Sequence, residues 1–174
     1  EVPSGNLRMK CGGWESRISG TPGMTKPIKE KPPDGAKKTG SNMNDSLGVY
    51  ASYLDSLGQA WNARNGFSVC FSLANADCAW IDVRITGSEV WIWDYFGTCY
   101  TGVREANRLC RELARQYPQY HVWIDKYTGF EIDVEEKFPF VTVEDVHAHV
   151  SALAAAVDEG ILTGKSLLGK RFER

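Results

Sequence analysis

The 174-residue chain has no long apolar run. No window approaches the roughly 18 apolar residues that a bilayer span needs, which excludes a transmembrane helix. No basic start followed by an apolar block opens the sequence, so it predicts no export, and a cytoplasmic protein is expected. An excess of one charge is also lacking. Lys and Arg number 20 and Asp and Glu 22, a net charge of −2, which removes any global pull toward nucleic acid or membrane. Histidine is scarce: His147 and His149 stand two apart on a predicted helix and so face different ways, and His121 begins a distant strand. No metal site and no cofactor are expected from them. The five cysteines are odd in number and none is spaced C-x-x-C, which argues against a zinc knuckle and a secreted disulfide framework. Cys70 in "FSVCFSL" and Cys110 on an apolar helix face read as buried, reduced cysteines. A phosphate-binding loop is missing too. In "GILTGKS" three residues rather than four separate Gly160 from Gly164, and the preceding element is a helix, so the loop cannot aim its N–H groups at a phosphate.

The sequence is uneven along its length. Residues 1–43 are rich in Gly, Pro, Lys, Ser and Thr, with almost no apolar periodicity, and cannot bury enough surface to offset the entropy of ordering them. They read as a flexible lead-in. Met9, Met24 and Met43 each offer a start, so part of it would be an expression leader.

From Asn44 the pattern is that of a folded domain. Leu47, Tyr50, Ala51, Leu54, Leu57 and Trp61 recur at helical spacing, with Asn44 or Ser46 as cap and Asn65-Gly66 as stop. Three strands follow: "FSVCFSLA", "AWIDVRIT" and "EVWIWDYF", the last two joined by the short polar stretch 86–89. Val103, Ala106, Cys110, Leu113, Ala114 and Tyr117 make a second amphipathic helix that Pro118 ends. "HVWIDKYTGFEIDVEEKF" is a second hairpin. Thr142 with Asp145 forms the capping box of a last helix, striped by Val143, Val146, Val150, Leu153, Ala154 and Val157 and closed by Gly160. The boundaries are then a lead-in over 1–43, a domain over 44–160 and a basic tail over 161–174. The order α-β-β-β-α-β-β-α predicts an α+β fold, an antiparallel sheet of about five strands with helices packed on it.

This order resembles the YbjN and type III secretion chaperone-like fold. The matching stretches are "EANRLCRELARQYPQYHVWIDKYTGFEIDVEEKF", a helix leading into a hairpin, and "TVEDVHAHVSALAAAVDEG", a closing helix after a Phe-Pro-Phe connection. The resemblance spans Asn44 to Gly160 and implies a non-enzymatic protein that binds other polypeptides, often as a homodimer.

The candidate site comes from strand alternation. Val90 and Ile92 share one face of their strand, which leaves Trp91, Trp93 and Tyr95 on the other; Trp123 falls opposite Val122 and Ile124. Glu131, Asp133 and Glu135 alternate on the outer face of the last strand, with Asp125 and Glu136 near them. Both faces of the sheet are therefore apolar at the middle. Each indole is worth on the order of 2–3 kcal/mol of burial, so something must lie over it. The candidates are the first helix with Tyr50, Tyr53 and Trp61, a second copy of the chain, or a foreign protein. The charges nearest the indoles are Asp82, Glu89 and Asp94 rather than a basic groove, so nucleic acid is not the expected partner. The reading is a non-enzymatic protein-binding module, chaperone-like or adaptor, that uses this aromatic face and the acidic sector to hold another protein of basic character. An inhibitor or immunity-type protein that blocks a basic site is a related reading. A carboxylate-dependent hydrolase using Asp125, Asp133 or Glu135 against the tryptophans is the enzymatic one.

Overall fold

A computed structural model describes residues 42–64, 66–127 and 129–174. The lead-in falls outside the described residues, except for Asn42 and Met43, which begin the first helix. The elements in order are α1 (Asn42–Leu57), β1 (Trp61–Asn62), β2 (Phe67–Ser72), β3 (Cys78–Thr86), β4 (Glu89–Cys99), α2 (Val103–Gln116), β5 (His121–Asp125), β6 (Glu131–Pro139) and α3 (Val143–Leu168), then a 3-10 turn (Gly169–Arg171) and β7 (Phe172–Glu173). The sheet is antiparallel in the order β1-β2-β3-β4-β6-β5, with β7 paired to β4. This is an α+β fold with two more strands than alternation suggested. β1 and β7 are two residues each, too short to show a period of two.

The sheet has one dry face. Cross-strand partners such as Val83 and Ile92, Ile85 and Val90, Val69 and Ile81, and Ile124 and Ile132 point the same way. They are buried or half-buried beneath the helices. Leu109 and Leu113 of α2 and Val146, Val150, Leu153 and Val157 of α3 close over that face. The two-residue β3–β4 loop works because Gly87 takes φ 63° while Ser88 stays negative, the hairpin arrangement that needs glycine first.

Three helix ends differ from the sequence expectation. α1 stops at Leu57, where Gly58 at φ 68° supplies the left-handed residue, so Trp61 is not on the helix. It sits in β1, stacked on Phe67 with centroids 5.3 Å apart. The helix starts at Asn42, which puts Asn44 and Ser46 inside it rather than at its cap. α3 runs through Gly160 to Leu168. Gly160 is not a stop: a Cβ there would meet the ring of Phe96 on β4, and one at Gly164 would meet Phe172 on β7. Both glycines let the helix approach the sheet closely. Thr142 caps α3, its Oγ1 accepting from the backbone N–H of Asp145 at 3.1 Å. Asp158 of α3 accepts from the N–H groups of Ala74 and Asn75 at 3.0 and 2.8 Å, tying down the β2–β3 connection.

Candidate functional site

The second face of the sheet carries no helix among the described residues. α1 lies on the dry face: Tyr50 is fully buried, 5.7 Å from the ring of Phe67 and 3.4 Å from Nδ1 of His147 on α3. The first helix is therefore not what covers the outward tryptophans. Strand pairing sets Trp91 beside Lys137 and Arg84, Trp93 beside Glu135 and Asp82, Tyr95 beside Asp133, and Trp123 beside Asp133. All eight residues singled out by alternation (Trp91, Trp93, Tyr95, Trp123, Asp125, Glu131, Asp133 and Glu135) occupy positions on this face. Glu136 does not: it pairs with Ile92 and takes the ring of His149 on α3 at 3.0 Å.

The face divides into two parts. Toward one end, cations sit over the rings. Arg84 lies 5.3 Å from the Trp91 centroid and 5.7 Å from that of Trp93, and Lys137 lies 4.8 Å from Trp91. The two indoles pack at 4.9 Å. Glu135 is engaged here, accepting from Trp91 Nε1 at 2.7 Å and facing His121 Nδ1 at 3.1 Å. Its role is to hold the indole.

Toward the other end the sheet opens into a cavity of about 520 Å³. The β3–β4 ladder ends at Asp82–Trp93, and β7 takes up β4 again at Thr98–Cys99. β4 bulges between Tyr95 and Gly97. Trp80 and Asp82 of β3, Trp93, Asp94 and Tyr95 of β4, Trp123 of β5 and Glu131 and Asp133 of β6 line the space, with Cys78 and Arg174. Trp80 is 41% exposed.

Arg174 fixes one wall. Its Nη2 donates to Asp94 Oδ2 at 2.6 Å, and its guanidinium lies 4.4 Å from the Tyr95 centroid. The Arg174 side chain is 5% exposed and that of Asp94 4%. Burial pushes the Asp94 carboxyl up to about 6, against the pull of Arg174 and a backbone hydrogen bond at Tyr95. Nε and Nη1 of Arg174 are buried without a hydrogen-bond partner among the described residues.

Of the facing carboxylates, one is engaged and three are unpaired among the described residues. Asp125 accepts from the N–H of Tyr127 at 2.7 Å and shapes the β5–β6 turn. Asp82, Glu131 and Asp133 have neither hydrogen-bond nor ion-pair partner among the described residues. Burial first, then the neighbouring Glu131, Asp125 and Asp94, push the Asp133 carboxyl up to about 7. Burial raises Asp82 as well. Four carboxyl groups and one guanidinium thus share a cleft walled by aromatic rings. Even so, no group of three or more His, Cys, Asp or Glu is placed to hold a metal ion among the described residues.

Alternation missed five of the lining residues as site members, Cys78, Trp80, Asp82, Asp94 and Arg174. Trp80 was within reach, being two positions from the outward Asp82. Asp94 was not, because it stands at an inward position between Ile92 and Phe96. Arg174 lies far along the chain, and nothing in its surroundings marks it.

A layer of helices on one face of an antiparallel sheet, with the other face aromatic and free of helices among the described residues, defines an α+β protein. Within that class the chain has the fold of YbjN at the level of topology. The crystal structure of YbjN from E. coli, described there as a proposed transcription regulator, superposes with a TM-score of 0.56 at 13% identity, covering 74% of this chain and 96% of that one. No protein-family model and no curated protein sequence matches the chain. No helix among the described residues is long and apolar enough to cross a membrane.

Proposed function

We propose that this protein is a non-enzymatic protein-binding module whose recognition surface is the helix-free face of the sheet. One observation carries the reading: Trp80, Trp91, Trp93, Tyr95 and Trp123 stand together on a face that no described helix covers. Half-covered indoles ringed by charges are the composition of interface hot spots. An aromatic patch of this kind on one side of a sheet marks an interaction site more often than idle surface. The partner is another protein of basic character, since unpaired carboxylates dominate the cavity end. A chaperone-like or adaptor role and an inhibitor-type role use the same surface and differ in what the partner does once held.

The test is capture of the cognate partner by the full chain. Trp91→Ala or Trp93→Ala is expected to weaken it at least tenfold while leaving the far-ultraviolet circular dichroism unchanged and the melting temperature within a few degrees. Unfolding by either substitution would mean that the rings are core, and the reading would fall.

One observation favours a carboxylate-dependent hydrolase as the second reading. Asp133 is a carboxyl near neutrality in an aromatic-walled cleft, the property expected of a general acid. Asp125 and Glu135, the other acids considered for that role, are engaged in a turn and with an indole. Hydrolysis of a panel of aryl glycosides that is abolished by Asp133→Asn would promote it over the binding module.

A further inference from the structure

We propose, resting on the open-face reading, that the cavity receives one basic residue of the partner protein. The arginine or lysine head would meet Asp82 and Asp133 among the indoles of Trp80, Trp93 and Trp123, and the residue's main-chain carbonyl would accept from the unpaired nitrogens of Arg174. Three observations lead there independently. Among the described residues Asp82, Glu131 and Asp133 line the cavity without a counter-charge of their own, since the cation lining it, Arg174, is committed to Asp94. The rings of this face already hold cations wherever one is within reach: Arg84 and Lys137 on the paired tryptophans, Arg174 on Tyr95. Among the described residues Trp80 holds none and Trp123 carries only the ring of His121, stacked on one side at 5.0 Å, and a cation over an indole gains most where water is excluded. The third observation sets the rest of the ligand. The Arg174 side chain is 5% exposed, lines the cavity, and has Nε and Nη1 without an acceptor among the described residues. Buried donors of a charged group left unpaired are costly, so the occupant must bring an acceptor as well as a positive charge. A peptide unit bearing a basic side chain supplies both, and a simple amine supplies one.

Protonation tunes the fit. Asp133 faces Asp94 and Tyr95 of β4, Asp125 of β5 and Glu131 of its own strand; across the cavity stand Asp82 of β3 and Arg174. Its carboxyl is pushed up to about 7, and a bound cation favours the ionised form. Binding therefore releases a proton and strengthens as pH rises from 5.5 to 8.

Titration of the full chain by its tryptophan fluorescence tests this, with the capped tripeptide Gly-Arg-Gly as probe and Gly-Gln-Gly as control. The arginine peptide should bind at least tenfold more tightly than the control at low salt. It should lose at least fivefold in affinity from pH 8 to pH 5.5, and at least fivefold at pH 8 in Asp82→Asn or Asp133→Asn. Arg174→Gln should lower it too, a change that a charge-only site would reverse. Equal response to both peptides, or no saturation by about 10 mM arginine peptide, overturns the proposal. Spermidine binding as tightly as the peptide does the same, since it lacks the carbonyl. If the tripeptide fails while Trp91→Ala and Trp93→Ala still release the cognate partner, the basic-residue pocket falls and the open-face reading stands.

Discussion

Asp133 has an environment that stabilises its neutral form. Its carboxyl is raised to about 7 from the ordinary value of 3.8, mainly by burial and then by the acids around it. The folded state therefore holds a proton that the unfolded chain has released between about pH 4 and pH 7, and stability falls as pH rises through that window. Asp133→Asn keeps the shape of the neutral form and removes the cost of the charged one. Asp133 is only half-buried, and solvent screening brings the full shift down to about 1 kcal/mol at pH 8. Differential scanning calorimetry should show the variant melting roughly 3 °C higher than the parent at pH 8 and level with it at pH 4. A variant that melts lower at pH 8 would mean that the carboxylate is satisfied, contrary to its surroundings. The substitution that stabilises the fold would then be the one that weakens the proposed binding, the usual exchange at binding sites.

At the scale of elements, legibility in the sequence follows how local the determining contact is. β3 and β4 could be read face by face because a period of two is written in seven or more residues each, and the outward set followed from it. The Thr142 cap was readable because its partner, Asp145, is three residues away. The extra strands were not, since two residues carry no period. Gly160 was read as a stop because glycine after an apolar stripe usually is one. What keeps it helical lies more than sixty residues earlier, the ring of Phe96, which itself stacks on Tyr117 at 5.6 Å. This gives α3 a sharp test. In an exposed helix Gly→Ala would stabilise by about 1 kcal/mol. At position 160 the added methyl falls on a ring already stacked on Tyr117, with Leu113 also close. Overpacking should dominate, and Gly160→Ala is expected to lose a net 1–3 kcal/mol, about that much in urea unfolding with an unchanged slope. A stabilised variant would show that Phe96 can yield and that the glycine is incidental.

Over the whole molecule the small net charge conceals a division. From Asp125 to Glu159 the sequence carries nine acids, Asp125, Glu131, Asp133, Glu135, Glu136, Glu144, Asp145, Asp158 and Glu159, against Lys126 and Lys137. Within that sector Glu131 and Asp133 join Asp82 at the cavity, where the counter-charge present is already paired. The same face bears the indoles, so recognition would combine an attraction that acts at a distance with an apolar contact that acts on touch. Salt separates the two. Exposed charges are screened within about 8 Å at physiological ionic strength, whereas burial of apolar surface is unaffected or slightly strengthened. For a basic partner, raising sodium chloride from about 50 to 500 mM should therefore slow association roughly tenfold in surface-plasmon-resonance measurements. Dissociation should change by no more than about threefold, since the indoles set how long the complex lasts. Asp82→Asn and Asp133→Asn should flatten the salt dependence of association, and Trp93→Ala should act on dissociation. An association rate indifferent to salt would leave the aromatic face as the whole of the interaction and remove the acidic sector from it.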